Sequence, residues 1–111
     1  MKALFIVLNS TDYLEDILSL LVEHNVNGAT ILESQGMGST IVNNNISDIP
    51  LFGSMKSLLK DNHPYNKTIF TVIKDRDKLY KVVQAITHLL KEEKKSDAVF
   101  MFTVPVDEVF C

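Results

Sequence analysis

Cysteine and arginine are almost absent from the 111-residue chain, and tryptophan is missing. Cys111 is the single cysteine, which excludes an internal disulfide framework. Arg76 is the single arginine, and the formal net charge is −3. Nucleic-acid-binding proteins usually carry a clustered basic face, whereas the densest positive run, Lys91, Lys94 and Lys95, is interrupted by two glutamates. We therefore expect no nucleic-acid partner.

Long apolar runs are also missing. No run approaches the roughly 18 residues that a membrane-spanning helix needs, so we expect no membrane insertion. The apolar stretch 3–8 is too short for a signal peptide, lacks a small-residue cleavage site and is followed at once by acidic residues. These features predict a cytoplasmic location. The hydrophobic fraction of 46% suffices for one packed core, so residues 1–111 are expected to form a single domain.

Four segments are typical of β-strands. Residues 3–8 form a continuous apolar stretch of strand length, and β-forming residues recur at 29–35, 67–74 and 98–104. Between the first and second of these, and again between the third and fourth, the pattern changes to helical spacing. The predicted order of elements is therefore βαββαβ.

The two helical segments each have one apolar stripe. Asp12 with Glu15 has the spacing of a capping box, and Asp75 or Asp77 is expected to cap the second helix. The first helix is predicted to end at 25–28, where Asn or Gly can adopt a left-handed conformation. The stripes are Leu14, Ile17, Leu18 and Leu21 in the first helix and Leu79, Val82, Val83, Ile86, Leu89 and Leu90 in the second.

This order predicts an α+β, ferredoxin-like sandwich, with a four-stranded antiparallel sheet and two helices on one face. A strand with a solvated face should alternate apolar and polar residues, but strand 3–8 is apolar on both sides and strand 98–104 nearly so. Self-association is the natural way to cover the second face. We expect Phe5, Ile6, Phe100 and Phe102 to anchor that interface.

A long connection joins the second and third strands. About 30 residues span 36–66, where a hairpin needs only two to five, and such loops are usually functional or disordered. Its polar centre, including Asn43, Asn44 and Asn45, predicts a mobile segment.

Three stretches in this order resemble the PII family of nitrogen regulatory signalling proteins and its PII-like relatives. Residues 27–39 resemble the family's second strand and the Gly-x-Gly at the base of its long T-loop, and residues 104–109 resemble its closing Pro-Val-Glu-Glu-Val. The helix 79–90 and the strand after it agree in length and pattern. The resemblance implies a homotrimer that binds nucleotides between subunits and contacts a partner protein through loop 36–66. A membrane protein is one of the partner classes left open.

The resemblance also implies a ligand site. Val7, Thr30, Gly36, Gly38 and Val72 match positions that line the family's nucleotide pocket. Glycines beside Met37 let backbone N–H groups approach an anion such as an adenine nucleotide. Ser39 adds a hydroxyl donor. Lys95 matches a position of the family's phosphate-binding B-loop. The ligand-binding set is therefore Val7, Thr30, Gly36, Met37, Gly38, Ser39, Val72 and Lys95.

The chain also departs from the family pattern. Residues 94–99, which match the family's Gly-Asp-Gly-Lys B-loop, contain no glycine. Thr40 replaces a glutamine that helps to bind 2-oxoglutarate, and two arginines that follow the closing motif are missing. These differences favour a divergent PII-like protein with an altered nucleotide site.

No convergent catalytic set is evident, so a non-enzymatic function is expected. Two alternatives to a nucleotide-binding regulator stay open. One is a trimeric protein–protein adaptor that binds no nucleotide. The other is a metal-responsive trimer of the copper-tolerance type, using His63 and Cys111, although no histidine pair has metal-ligand spacing.

Overall fold

The described part of the chain is α+β, with two α-helices and a four-stranded antiparallel sheet, as predicted. The computed structural model describes residues 1–37, 66–94 and 98–111. The strands lie in the order β2-β3-β1-β4, which is consistent with the ferredoxin-like class. In chain order the described elements are β1 (Lys2–Leu8), a 3-10 helix (Thr11–Tyr13), α1 (Leu14–Glu23), β2 (Thr30–Ser34), β3 (Asn66–Ile73), α2 (Arg76–Glu92) and β4 (Val99–Pro105).

The central strand is β1, the most continuously apolar of the four. It pairs with β3 on one side and β4 on the other, so that Leu4 lies between Thr71 and Thr103. Among the described strands, β2 pairs only with β3 and forms one edge of the sheet, while β4 forms the other. Each strand lies within one residue of its predicted bounds, because short apolar runs ended by turn residues define strands well.

One face of the sheet is covered by both helices, and the hydrophobic core lies between them. Alternate residues of β1, namely Leu4, Ile6 and Leu8, are completely buried there, as is Ile69 of β3. The predicted helical stripes supply the other side of the core: Ile17 and Leu21 from α1, and Leu79, Val82, Ile86 and Leu90 from α2.

The ends of the helices follow the predicted chemistry in two cases out of three. The Asp75 carboxylate caps α2 by accepting a 2.9 Å hydrogen bond from the backbone N–H of Asp77. Asn25 ends α1 with φ of 62°, in the left-handed region. The predicted capping box of Asp12 is wrong, because α1 starts at Leu14 with no side-chain cap. The preceding 3-10 helix occupies that position, and the Leu14 N–H donates to the Thr11 carbonyl.

The expectation that Ile6 anchors an interface is also wrong. Ile6 lies on the helix-covered face and is 0% exposed. Side chains alternate along a strand, so its neighbours Phe5 and Val7 point to the opposite face, with Phe100 and Phe102 of β4.

Candidate functional site

The side of the sheet that faces away from the helices, called the open face below, is mostly apolar. The strand register determines which residues share it. They are Ala3, Phe5 and Val7 of β1, Thr30, Leu32 and Ser34 of β2, Asn66, Thr68, Phe70 and Val72 of β3, and Phe100, Phe102 and Val104 of β4.

Four phenylalanines form a continuous row on the open face. Phe5 has its ring centroid 5.7 Å from that of Phe70 and 4.9 Å from that of Phe102, with the latter pair nearly parallel at 3°. Phe100 extends the row, 5.6 Å from Phe102. These separations are within the range of favourable aromatic pairs. The row is therefore a pre-ordered surface that loses little side-chain entropy if something packs on it.

Five apolar side chains of this surface are exposed to solvent. Phe100 is 60% exposed and Leu32 48%, and Phe102, Val72 and Val104 each keep more than two-fifths of their surface accessible. Single exposed apolar residues are common, whereas a contiguous group across several strands indicates an interaction site. The open face is the strongest candidate for such a site among the described residues.

Three of the predicted ligand-binding residues lie on the open face. Val7, Thr30 and Val72 come from β1, β2 and β3 respectively. They do not form one cluster, because Val7 is opposite Thr68, four residues from Val72, and four strand residues span roughly 13 Å. Thr30 lies between these levels, opposite Phe70. The structure thus brings the three residues to one face without bringing them into contact.

Gly36 and Met37 follow the end of β2. Among the described residues, a Cβ atom added to Gly36 would meet the Asn66 side-chain nitrogen at 3.8 Å, which is an ordinary contact. No described glycine has a positive φ, so the fold of the described residues does not itself require glycine at position 36. Met37 is 80% exposed. The predicted site residues Gly38, Ser39 and Lys95 lie outside the described residues, as does most of the connection 36–66.

A small polar cluster at the end of the open face was missed by sequence reasoning. The Ser34 hydroxyl is within hydrogen-bond distance of the side-chain oxygen of Asn66, and its Oγ is 2.9 Å from Thr68 Oγ1. Asn66 is buried although it is polar. The signal was present in the sequence: Asn66 and Thr68 are polar residues at alternate positions, immediately before the apolar part of β3.

The polar cluster lies where the ends of several strands meet. β1 ends here, because Leu8 is paired with Lys67 on one side and with Val99 on the other. The Asn9 N–H donates to the Ala98 carbonyl at 2.8 Å. Ser34 and Asn66, at the described ends of β2 and β3, and Ala98, just before β4, therefore all lie at this end of the sheet, the end that carries Val7.

One ion pair lies next to the polar cluster. Lys67 Nζ is 3.1 Å from the Glu33 carboxylate across the β2–β3 pair. Farther away, on the helices, His88 lies 3.0 Å from Glu92, and the His24 ring nitrogen Nδ1 is 2.8 Å from the Leu20 carbonyl at the end of α1. Both histidines therefore have local partners.

The metal hypothesis gains no support from the described residues. They contain no group of three or more His, Cys, Asp or Glu side chains that could hold an ion. Cys111 is exposed, and its suggested partner His63 is outside the described residues. In the described ranges, no helix is long and apolar enough to cross a membrane.

Comparison with known proteins found neither a matching family model nor a matching curated protein. Function therefore has to be inferred from the residues and the geometry described above.

Proposed function

We propose that this chain is a non-enzymatic regulatory protein of the PII-like type. It assembles into a homotrimer through the open face, binds an adenine nucleotide in the clefts between subunits, and acts on a partner protein through residues 36–66. The proposal includes the complete ferredoxin-like βαββαβ topology and a cytoplasmic location. The order of the described elements and the strand order β2-β3-β1-β4 support that topology.

The observation that carries the proposal is the exposed aromatic row of the open face. Phe100 and Phe102 are exposed next to Phe5, on the side of the sheet that the helices leave uncovered. Complete burial of one such side chain contributes about 1.5–3 kcal/mol. Packing of the same face from neighbouring copies would bury several rings per subunit, which is how a closed symmetric assembly gains stability.

The proposed nucleotide site extends along the open face from the end that carries the polar cluster. Val7 and Thr30 would contact the ligand from the sheet, with Val72 contributing apolar surface farther along β3. The backbone from Gly36 to Ser39 would donate N–H groups to the phosphates, and Lys95 would balance part of their charge. A subunit packed on the open face would complete the cleft, because these residues come from one side only.

A second candidate function is an adaptor that binds no nucleotide. The observation in its favour is Lys94, which has φ of 55° in the region that favours glycine. It starts the segment that matches the family's glycine-rich B-loop, so a side chain stands where the family has exposed backbone. Fewer N–H groups can then converge on a phosphate. The metal-responsive trimer stays a prediction that depends on His63 and Cys111.

Calorimetric titration with AMP, ADP, ATP and cyclic AMP tests the nucleotide proposal. We expect at least one of them to bind, and Thr30→Ala to weaken binding by about three- to tenfold through loss of a hydrogen bond. Thr103→Ala is the matched control, because Thr103 is exposed on the opposite face. Absence of binding at millimolar concentration would favour the adaptor. Thermal stabilisation by copper or zinc alone would favour the metal-responsive protein.

A further inference from the structure

A second cleft lies at the opposite end of the sheet from the polar cluster. It occupies about 200 Å³ where β1 begins, β3 ends and α2 begins. Ile73 and Leu79 line it and are each only 4% exposed, so they form an apolar floor.

The rim of this cleft is positively charged. Lys2, Lys74 and Arg76 all line it and are all exposed, and no carboxylate is among the lining residues. None of the three cations forms an ion pair within the described part of the chain. Three unpaired cations around one cleft are unexpected in a chain with a net charge of −3. They create a local positive potential against the sign of the whole molecule.

Arg76 is held in position by an aromatic neighbour. Its guanidinium lies 5.4 Å from the centre of the Tyr80 ring, which also lines the cleft. Such a cation–π contact limits the freedom of the arginine and leaves its N–H groups available to an anion. The Asp75 carboxylate, just before α2, accepts the hydrogen bond that caps the helix, and neither Asp75 nor Asp77 lines the cleft.

We propose that this cleft binds a small organic anion, a carboxylate or phosphate group carried on a short apolar body. The cations of the rim pair with the charged group, and the planar guanidinium of Arg76 suits the oxygens of either kind of anion. The buried floor of Ile73 and Leu79 receives the apolar body. A few directional polar groups above an apolar floor are typical of small-molecule sites.

The size of the cleft limits the size of the ligand that it can hold. Pockets for drug-sized ligands occupy about 300–1,000 Å³, and this cleft is smaller, at about 200 Å³. A ligand smaller than a drug-sized molecule is therefore expected. The two sites share no residue, and the side chains of Val72 in the nucleotide site and Ile73 in this cleft point to opposite faces of the sheet, so either site can fail without the other.

An NMR titration of the full chain with phenyl phosphate tests the proposal. We expect saturable shifts of the backbone amides of Lys2 and of residues 73–80, with little change near Thr68. Benzyl alcohol tests the need for charge, and inorganic phosphate tests the need for an apolar body. Both should bind more weakly than phenyl phosphate. Equal binding of either compound, or no saturable shift with phenyl phosphate, would overturn the proposal.

Three single variants test whether the cations of the rim bind phenyl phosphate. Arg76→Gln and Lys74→Gln should each weaken phenyl phosphate binding by about threefold, the size expected for one exposed charge contact. The matched control is Lys81→Gln, because Lys81 is exposed on the same helix but does not line the cleft. Unchanged affinity in both rim variants, or an equal loss in the control, would contradict the assignment.

Discussion

The two faces of the sheet use the same strands for different purposes. On the covered face, Leu4, Ile6 and Leu8 are completely buried by helices of the same chain. On the open face, their immediate neighbours Phe5 and Val7 belong to a surface whose outer members, such as Phe100, are exposed. The two apolar sides of β1 thus have different roles. One face is completed when the chain folds, and the other, on our proposal, when copies associate.

The composition of the faces also differs. The buried part of the covered face is mostly aliphatic, and branched side chains such as Ile6 and Ile69 belong to one core with residues of both helices. The open face is rich in phenylalanine, whose rings lie in a row with nearly parallel planes between Phe5 and Phe102. Aromatic residues are enriched at protein interfaces, where flat rings bury much area with few rotatable bonds.

The largest effect is expected from a charge on the covered face. Leu4→Asp should unfold the chain, because an unpaired buried carboxylate costs several kcal/mol, comparable to the whole stability of a small protein. Thr103→Asp is the control, since Thr103 is directly opposite Leu4 on β4 but exposed. Circular dichroism should show loss of structure in the first variant alone. A folded Leu4→Asp protein would contradict the packing described here.

A charge on the open face should act on assembly and not on the fold. Phe102→Asp places a carboxylate in the middle of the aromatic row, so association should be lost while the helices and sheet persist. The melting temperature of the unmodified chain should rise with protein concentration, and that of the variant should not. Concentration-independent melting of both proteins would remove the distinction between the two faces.

A smaller effect is expected from the polar residue within the covered face. Thr71 is 5% exposed, and its hydroxyl donates a 2.5 Å hydrogen bond to the Gly28 carbonyl, which fixes the chain just before β2. Thr71→Val should therefore lower the free energy of unfolding by about 1 kcal/mol. Thr103→Val, on the other side of Leu4, should change it by less than about 0.5 kcal/mol. Denaturant titration measures both, and equal effects would count against the hydrogen bond.

The smallest expected effect is a loss of stability at high pH. It involves Tyr13, which packs against the edge of the core. Desolvation by burial raises the pKa of Tyr13 above its ordinary value of 10.0, and the negative charges of Glu93, Asp12 and Asp16 add to the shift. The folded state therefore holds the phenol proton more tightly than the unfolded state. The resulting stability is intact below pH 10 and is lost as the pH rises through the folded pKa.

Tyr13→Phe provides the comparison for this effect. In the unmodified chain, tyrosinate absorbance should show a late step above pH 10.0, and that late step should be missing from the variant. Persistence of the late step in Tyr13→Phe would assign it to another tyrosine and contradict the shift.

Much of the fold could be predicted from sequence because periodicity reports burial directly. The stripe of α2 and the strand bounds were found in this way, and the cap at Asp75 follows from local chemistry alone. The assignment of Ile6 to the interface failed for a different reason. A strand that is apolar on both sides contains no pattern that distinguishes the two faces, and only the positions of the helices decide it.

The candidate sites depend more strongly on tertiary structure. Val7, Thr30 and Val72 lie on three different strands, and their common face follows from register, which the sequence alone leaves open. The basic cleft combines Lys2 with Lys74 and Arg76. Lys2 is more than 70 residues away from the other two along the chain. No local pattern could have joined them, because β1 and β3 become neighbours only in the folded sheet.

The mass of the unmodified chain in solution tests the central claim most directly. Sedimentation equilibrium at micromolar concentration should give three times the chain mass of 12.5 kDa if the open face is covered by neighbouring copies. The Phe102→Asp variant should give a single chain mass under the same conditions. A stable monomer of 12.5 kDa for the unmodified chain would contradict the proposed assembly, and with it the inter-subunit nucleotide site.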